Sequence, residues 1–168
     1  SIFRDSENFV IDNGKTNHKG VELTLNINIS ETSNLISNFT YGDHKYDFNS
    51  DTSMKEKIRI GNEIDTSPKL MVNLILNTSI TDNLSFAFEL ERMDSYFTDA
   101  ANLHEYEGHT LLHFRSDVNY SEKLKLYLRV DNLTDKDYAE RADFNAYGGD
   151  RYFPGLPRET YVGFEYSL

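Results

Sequence analysis

Val21, Leu23, Leu25, Ile27 and Ile29 are apolar, and Glu22, Thr24, Asn26, Asn28 and Ser30 stand between them. A strict period of two sends the two sets to opposite faces of a β-strand, and no helix can sort them. The same pattern returns along the chain. Leu70, Val72, Leu74 and Leu76 share a face, with Asn73 and Asn77 on the other. Leu84, Phe86, Phe88 and Leu90 alternate with Ser85, Ala87, Glu89 and Glu91. Leu112, Phe114, Val118 and Tyr120 oppose His113, Arg115, Asp117 and Asn119; Leu124, Leu126, Leu128 and Val130 oppose Lys125, Tyr127, Arg129 and Asp131. The chain ends on Val162, Phe164, Tyr166 and Leu168 against Tyr161, Gly163, Glu165 and Ser167. A weaker strand end is expected over residues 1–11 and another segment over 35–41, for about eight strands in all.

The connections alternate in length. Residues 31–34, 81–83 and 121–123 are tight polar turns. Long polar loops are expected at about 42–67, 98–108 and 139–157. Antiparallel barrels that span a membrane sort their turns this way, short at one end and long at the other. Strands of roughly ten residues with one apolar face also suit a tilted crossing of the hydrocarbon layer. The expected fold is therefore all-β, an antiparallel transmembrane β-barrel or part of one. The mean hydropathy of −0.60 does not oppose this, because half of each barrel strand faces a polar interior.

With 28 acidic and 17 basic residues the formal charge is −11, which disfavours a nucleic-acid binder, since that needs a basic face. Without cysteine there is no disulfide framework, thiolate metal site or thiol nucleophile. No apolar run is long enough for a transmembrane helix. No phosphate-binding loop, dinucleotide fingerprint or nucleophile elbow occurs, so no enzyme activity and no cofactor are expected.

Several short motifs point further. Gly163, Tyr166 and Leu168 resemble the C-terminal assembly signal of bacterial outer-membrane proteins, with Leu where that signal usually has Phe. Lys19-Gly20-Val21-Glu22-Leu23 resembles a Gly-(Val/Phe)-Glu strand start, and Pro68 the proline that opens a descending strand. Asp131-Asn132-Leu133-Thr134-Asp135-Lys136-Asp137-Tyr138 contains an Asn-Leu-x-Asp-x-x-Tyr element, and Pro154-Gly155-Leu156-Pro157-Arg158 a Pro-Gly-x-Pro-Arg element. In this order and spacing they resemble the C-terminal part of a TonB-dependent outer-membrane receptor. The resemblance implies a 22-stranded barrel plugged by an N-terminal domain, of which residues 1–168 would be roughly the last third. Signal peptide, plug and TonB-contacting segment would lie before Ser1. The implied function is TonB-powered import of a scarce nutrient, an iron–siderophore complex being the commonest family substrate. Implied partners are outer-membrane lipid, the barrel-assembly machinery, TonB and an extracellular small-molecule ligand.

Candidate residues follow from the strand faces. Glu89, Glu91, Arg115 and Arg129 fall at similar heights above the tight turns and are expected to form a lumenal charge ladder facing the plug. An acid/base pair of Glu89 and Glu91 is the rival reading. Arg141, Tyr147, Arg151 and Tyr152 lie in a loop rich in arginine and aromatics, the residue types that anchor recognition. With His104 and Tyr106 of the preceding loop they are the expected ligand contacts, the rival being a loop that only packs over the rim. His104 and His109 flank Glu105, Tyr106 and Glu107, but no ligand spacing supports a metal site there, and none is expected. Asp131, Asp135 and Asp137 lack the glycine and final glutamate of a calcium loop. Three other readings remain at this stage: a self-closing eight-stranded barrel with a structural or passive-pore role, a barrel enzyme, and a soluble β-sandwich.

Overall fold

The computed structural model describes residues 3–4, 7, 10–11, 14–53 and 55–168. Thirteen strands follow in order: β1 (Phe3–Arg4), β2 (Val10–Ile11), β3 (Thr16–Asn28), β4 (Ser33–Tyr46), β5 (Leu70–Thr81), β6 (Leu84–Met93), β7 (Tyr96–Phe97), β8 (Glu105–Tyr106), β9 (His109–Asn119), β10 (Leu124–Asp131), β11 (Ala139–Asn145), β12 (Gly149–Pro154) and β13 (Glu159–Tyr166). No described residue is helical. Seven long strands form one antiparallel sheet in the order β13-β10-β9-β6-β5-β4-β3, so each pairs with its neighbour in sequence once the short ribbons are set aside. The other six form three two-stranded ribbons, β1–β2, β7–β8 and β11–β12.

The register keeps the two faces apart across the whole sheet. Ile27, Leu35, Leu76, Phe88, Phe114, Val130 and Thr160 stand opposite one another in a single row. Asn28, Asn34, Asn77, Ala87, Arg115, Arg129 and Tyr161 form the row beside it, on the other face. A slip of one residue anywhere would exchange the faces, so the alternation fixes the register. On the apolar face Phe114 packs against Phe88 and Phe86, with centroids 5.0 and 5.6 Å away. No described residue covers the end of that face in β13: Val162 is 79% exposed and Phe164 72%.

The tight turns all lie at one end of the sheet and the long connections at the other, as their lengths predict. The long connections are better ordered than the sequence suggests. The first loop was expected from residue 42, but β4 runs on to Tyr46 and stays paired with β3 back to Thr16. Backbone bonding needs no apolar side chains, so the hairpin continues past its apolar band. The second loop carries the β7–β8 ribbon and the third the β11–β12 hairpin. The strand end expected over residues 1–11 lies partly outside the described residues; what is described is the β1–β2 ribbon, paired with itself. Among the described residues β3 and β13 are the two edges of the sheet.

Buried apolar side chains gather at the long-loop end. Ile11, Tyr46, Ile58 and Ala100 form one cluster, with Phe48 and Ile64 against it. Tyr96, Tyr106, Ala139 and Ala142 form a second, with Met93 beside them. The loops thus build a cap with its own small core above the sheet.

Candidate functional site

The cap is held by side chains that stand in for strand partners. Tyr96 Oη accepts from the Ala142 backbone N–H at 2.7 Å and faces the Ala142 carbonyl at 3.3 Å. Tyr106 Oη accepts from the Ala139 N–H at 3.0 Å, reaches the Ala139 carbonyl at 3.2 Å and lies 2.9 Å from His109 Nδ1. Two buried tyrosines from the second loop therefore dock the backbone of β11, which leaves polar groups satisfied where water is excluded. Below them Asn102 pairs with the Glu63 backbone through both ends of its amide, at 2.7 and 2.9 Å. Asp99 Oδ1 accepts from the N–H groups of Leu103 and His104 at 2.9 and 2.7 Å.

Burial pushes the Asp65 carboxyl up, the neighbouring Glu56 and Asp99 charges adding to it, although Tyr46 donates a 2.6 Å hydrogen bond to it. Asp99 is likewise raised, chiefly by burial. The Tyr46 phenol is pushed far up by burial and by Asp65.

On this base stands the β11–β12 hairpin. Asp143, buried, receives Arg151 Nε at 2.7 Å and Arg141 Nη2 at 3.1 Å. One carboxylate holds two guanidinium groups side by side, and both keep more than half of their surface exposed. Arg141 also lies over the Phe153 ring, 5.7 Å from its centroid. Tyr152 is 57% exposed, 6.3 Å from Tyr106 between ring centroids. At the tip Asn145 Oδ1 accepts from the N–H groups of Tyr147 and Gly148, and Gly149 takes a φ of 78°. Tyr147 projects there, 73% exposed, with Lys55 Nζ 5.4 Å from its ring centroid.

Arg141, Tyr147, Arg151 and Tyr152 thus share one hairpin. His104 joins them: its ring stacks on Phe144 at 3.7 Å, and Nδ1 is 3.5 Å from Asp150 Oδ1. Tyr106 is different, being buried with its hydroxyl engaged in docking β11. His104 and His109 go separate ways, His109 packing against Tyr106 and Tyr138.

The ladder residues share the polar face of the sheet. Arg115 stands opposite Arg129, and each pairs with the aspartate two positions along its own strand, Asp117 at 3.3 Å and Asp131 at 2.9 Å. Glu89 stands opposite His113 and accepts from Asn73 at 2.5 Å. Glu91 Oε2 is 4.0 Å from His113 Nε2, and His113 Nδ1 is 3.3 Å from Asp131. An open cavity of about 390 Å³ is lined by Glu89, His113, Arg115, Arg129 and Asp131 among others. His113 is the hub that reasoning by charge alone left out; its place on the same face was readable from the alternation.

The two motifs after β10 meet in space. Asn132, buried, donates to the carbonyls of Lys136 and Leu156 at 2.9 and 3.2 Å, and Asp135 Oδ1 accepts from the Arg158 N–H at 2.9 Å. The Tyr138 ring lies where a Cβ on Gly155 would fall. Asn-Leu-x-Asp-x-x-Tyr and Pro-Gly-x-Pro-Arg are two halves of one clasp that returns the chain to β13. Gly163 has a similar reason: it stands opposite Tyr127, whose ring occupies the space of a Cβ. Tyr166 faces Leu124 on the apolar face, and Leu168 follows the strand fully exposed.

Comparison with known proteins agrees with this architecture. The family described as TonB dependent receptor-like, beta-barrel matches residues 2–133. No curated protein matches the chain in sequence. Among solved structures it is similar to the siderophore receptor PiuA from Acinetobacter baumannii, with TM-score 0.77, 19% identity, and coverage of 98% of this chain and 24% of that one. It is similar to the ferric yersiniabactin uptake receptor FyuA from Yersinia pestis, with TM-score 0.72, 19% identity, and coverage of 93% and 24%. It is also similar to the unliganded ferric citrate transporter FecA, with TM-score 0.74, 22% identity, and coverage of 90% and 24%. The chain spans about a quarter of the length of these receptors. Since the family covers most of the sequence and the sheet repeats the wall of receptor barrels, the chain belongs to the TonB-dependent receptor-like β-barrel family.

Proposed function

We propose that this chain is part of the barrel wall and outer rim of a Gram-negative outer-membrane receptor that imports a scarce nutrient, an iron–siderophore complex, using energy delivered through TonB. The apolar face meets outer-membrane lipid, the barrel-assembly machinery inserts the strands, and the polar face surrounds a plug carried by a preceding part of the protein. The observation that carries the substrate class is the Arg141–Asp143–Arg151 arrangement. Two guanidiniums on one carboxylate keep a net positive charge, and Phe153, Tyr152 and Tyr147 stand around them. Anionic, ring-bearing chelates suit that combination, through charge-assisted hydrogen bonds and stacking. The family membership and the siderophore receptors among similar structures support the same reading.

The test is binding and uptake of labelled ferric siderophores by cells carrying the complete receptor. Arg141→Ala/Arg151→Ala/Tyr152→Ala is expected to weaken binding by about tenfold or more while the barrel stays in the outer membrane. Uptake, but not binding, is expected to vanish without TonB. Wild-type binding by the triple variant would remove this hairpin from the substrate site.

A further inference from the structure

On the polar face, above the apolar band of the β3–β4 hairpin, His18 stands directly opposite His44. Their Nδ1 atoms are 2.9 Å apart and the ring centroids 5.0 Å apart. Thr16 Oγ1 lies 2.9 Å from His18 Nε2. If that hydroxyl accepts the Nε2 proton, His18 Nδ1 is left bare with its lone pair directed toward His44. A hydrogen-bond acceptor on the far ring nitrogen, most often a carboxylate, backbone carbonyl or water, orients a metal-ligating histidine, and the Thr16 hydroxyl can serve in that place. The His44 ring lies over Gly42, in the space a Cβ would take, and Gly42 stands opposite Gly20. Gly42 thus leaves free the space that the His44 ring occupies, and Gly20 allows the close approach of the two strands at the next step of the ladder.

We infer that His18 and His44 form a cross-strand, two-imidazole site for a divalent transition-metal ion of the Cu²⁺ and Ni²⁺ class. Imidazole nitrogen suits Cu²⁺ and Ni²⁺, whose tetragonal geometry accepts two neighbouring nitrogens with water at the other positions, and Cu²⁺ heads the affinity order. In the metal-free site His44 Nδ1–H then donates to His18 Nδ1; metal binding moves that proton to His44 Nε2, and small rotations of both rings turn the two freed lone pairs toward a common point. The remaining positions open into the lumen and take water. Among the described residues no group of three or more metal-ligating side chains converges, so their share of the shell is these two nitrogens.

The test is titration of Cu²⁺ into the complete receptor, purified in detergent without a histidine tag, followed by electron paramagnetic resonance. One Cu²⁺ per receptor is expected, with hyperfine structure from two nitrogens. His44→Gln is expected to leave one coupled nitrogen and weaken binding about a hundredfold, since the second ligand's effective concentration is lost. Thr16→Val keeps both ligands and is expected to weaken binding about tenfold. Gel mobility of the unheated receptor reports whether each variant retains a folded barrel. Wild-type stoichiometry and spectrum in a folded His18→Gln/His44→Gln variant would overturn the site, as would no binding by the wild type at about 1 mM Cu²⁺.

Discussion

From Val21 to Ile29 each apolar side chain in the alternating run is at least 40% exposed, whereas Ile58, in the loop after the same hairpin, is 1% exposed. The sheet turns its apolar residues outward and the cap turns them inward. In the sheet, backbone ladders run across seven strands with one shift of register between Ser79 and Thr81, and the apolar side chains stay exposed. In the cap the usual rule of soluble proteins holds, with two small clusters and tyrosine hydroxyls satisfying the backbone they bury. One chain thus follows two solvation rules, and the change falls where the apolar bands of β3 and β4 end.

The largest test of the contrast is a charge on the outward face. Leu128→Arg, in the middle of β10, is expected to cost about 2–4 kcal/mol if its side chain meets the hydrocarbon midplane. Thr40→Arg places the same group on the polar face opposite Glu22 and is expected to change stability by no more than about 0.5 kcal/mol. Thermal unfolding of the complete receptor in lipid vesicles reads both. Equal losses would mean that the two faces do not differ in solvent.

Glycines sharpen the comparison, because each region uses them differently. Gly108, in the cap just before β9, has a φ of 75°, and a Cβ there would run into the backbone of Met93 and Asp94. Neither obstacle can swing aside, so Gly108→Ala is expected to cost about 2–3 kcal/mol. The loss should appear as faster amide exchange over residues 94–108. Gly163 in β13 is blocked only by the outer end of the Tyr127 side chain, which can rotate away. Gly163→Ala is therefore expected to cost about 1 kcal/mol, and that cost should disappear in a Tyr127→Ala background. A double-mutant cycle that finds no coupling would detach Gly163 from its cross-strand tyrosine.

What was legible in the sequence divides along the same line. Alternation identifies the sheet strands because each has one apolar face, and turn lengths assign the two ends. The cap strands carry no such pattern. β11, Ala-Glu-Arg-Ala-Asp-Phe-Asn, is held by Tyr96 and Tyr106 from another loop and by the Asp143–Arg151 pair within its own hairpin. Such partners lie dozens of residues away or share no periodicity. The His18–His44 pair is hidden for a related reason: 26 residues separate the two, and only the register of β3 against β4 makes them face each other. Counting heights from the turns put Glu89, Arg115 and Arg129 in one neighbourhood. It could not show that Arg115 stands opposite Arg129 or that each takes an aspartate on its own strand. The grouping of Arg141, Tyr147, Arg151 and Tyr152 was readable from composition, whereas the burial of Tyr106 was not.

The smallest expected effect tests whether the cap pays for its inward packing with buried charge. The folded-state value of Asp65 is raised, so its ionised form is disfavoured in the folded cap relative to the open chain. That penalty is present at neutral pH and is relieved as the pH falls through the raised value toward the ordinary aspartate range near 3.9. Asp65→Asn removes the charge while an amide oxygen can still accept the hydrogen bond from Tyr46. The variant is therefore expected to resist proteolysis within residues 47–69 a few-fold better than wild type at pH 7.5. The two should converge as the pH is lowered through the raised value of Asp65 into the ordinary aspartate range, where wild-type Asp65 is neutral in the folded and the open chain alike. Asp99 is raised too and its charge acts on Asp65, so the comparison is made with Asp99→Asn in both proteins. The same proteolytic difference at both pH values would show that Asp65 acts through packing rather than charge. The cap would then be bound by the solvation rule of a soluble core without an electrostatic cost, and the boundary between the two regions would rest on apolar burial alone.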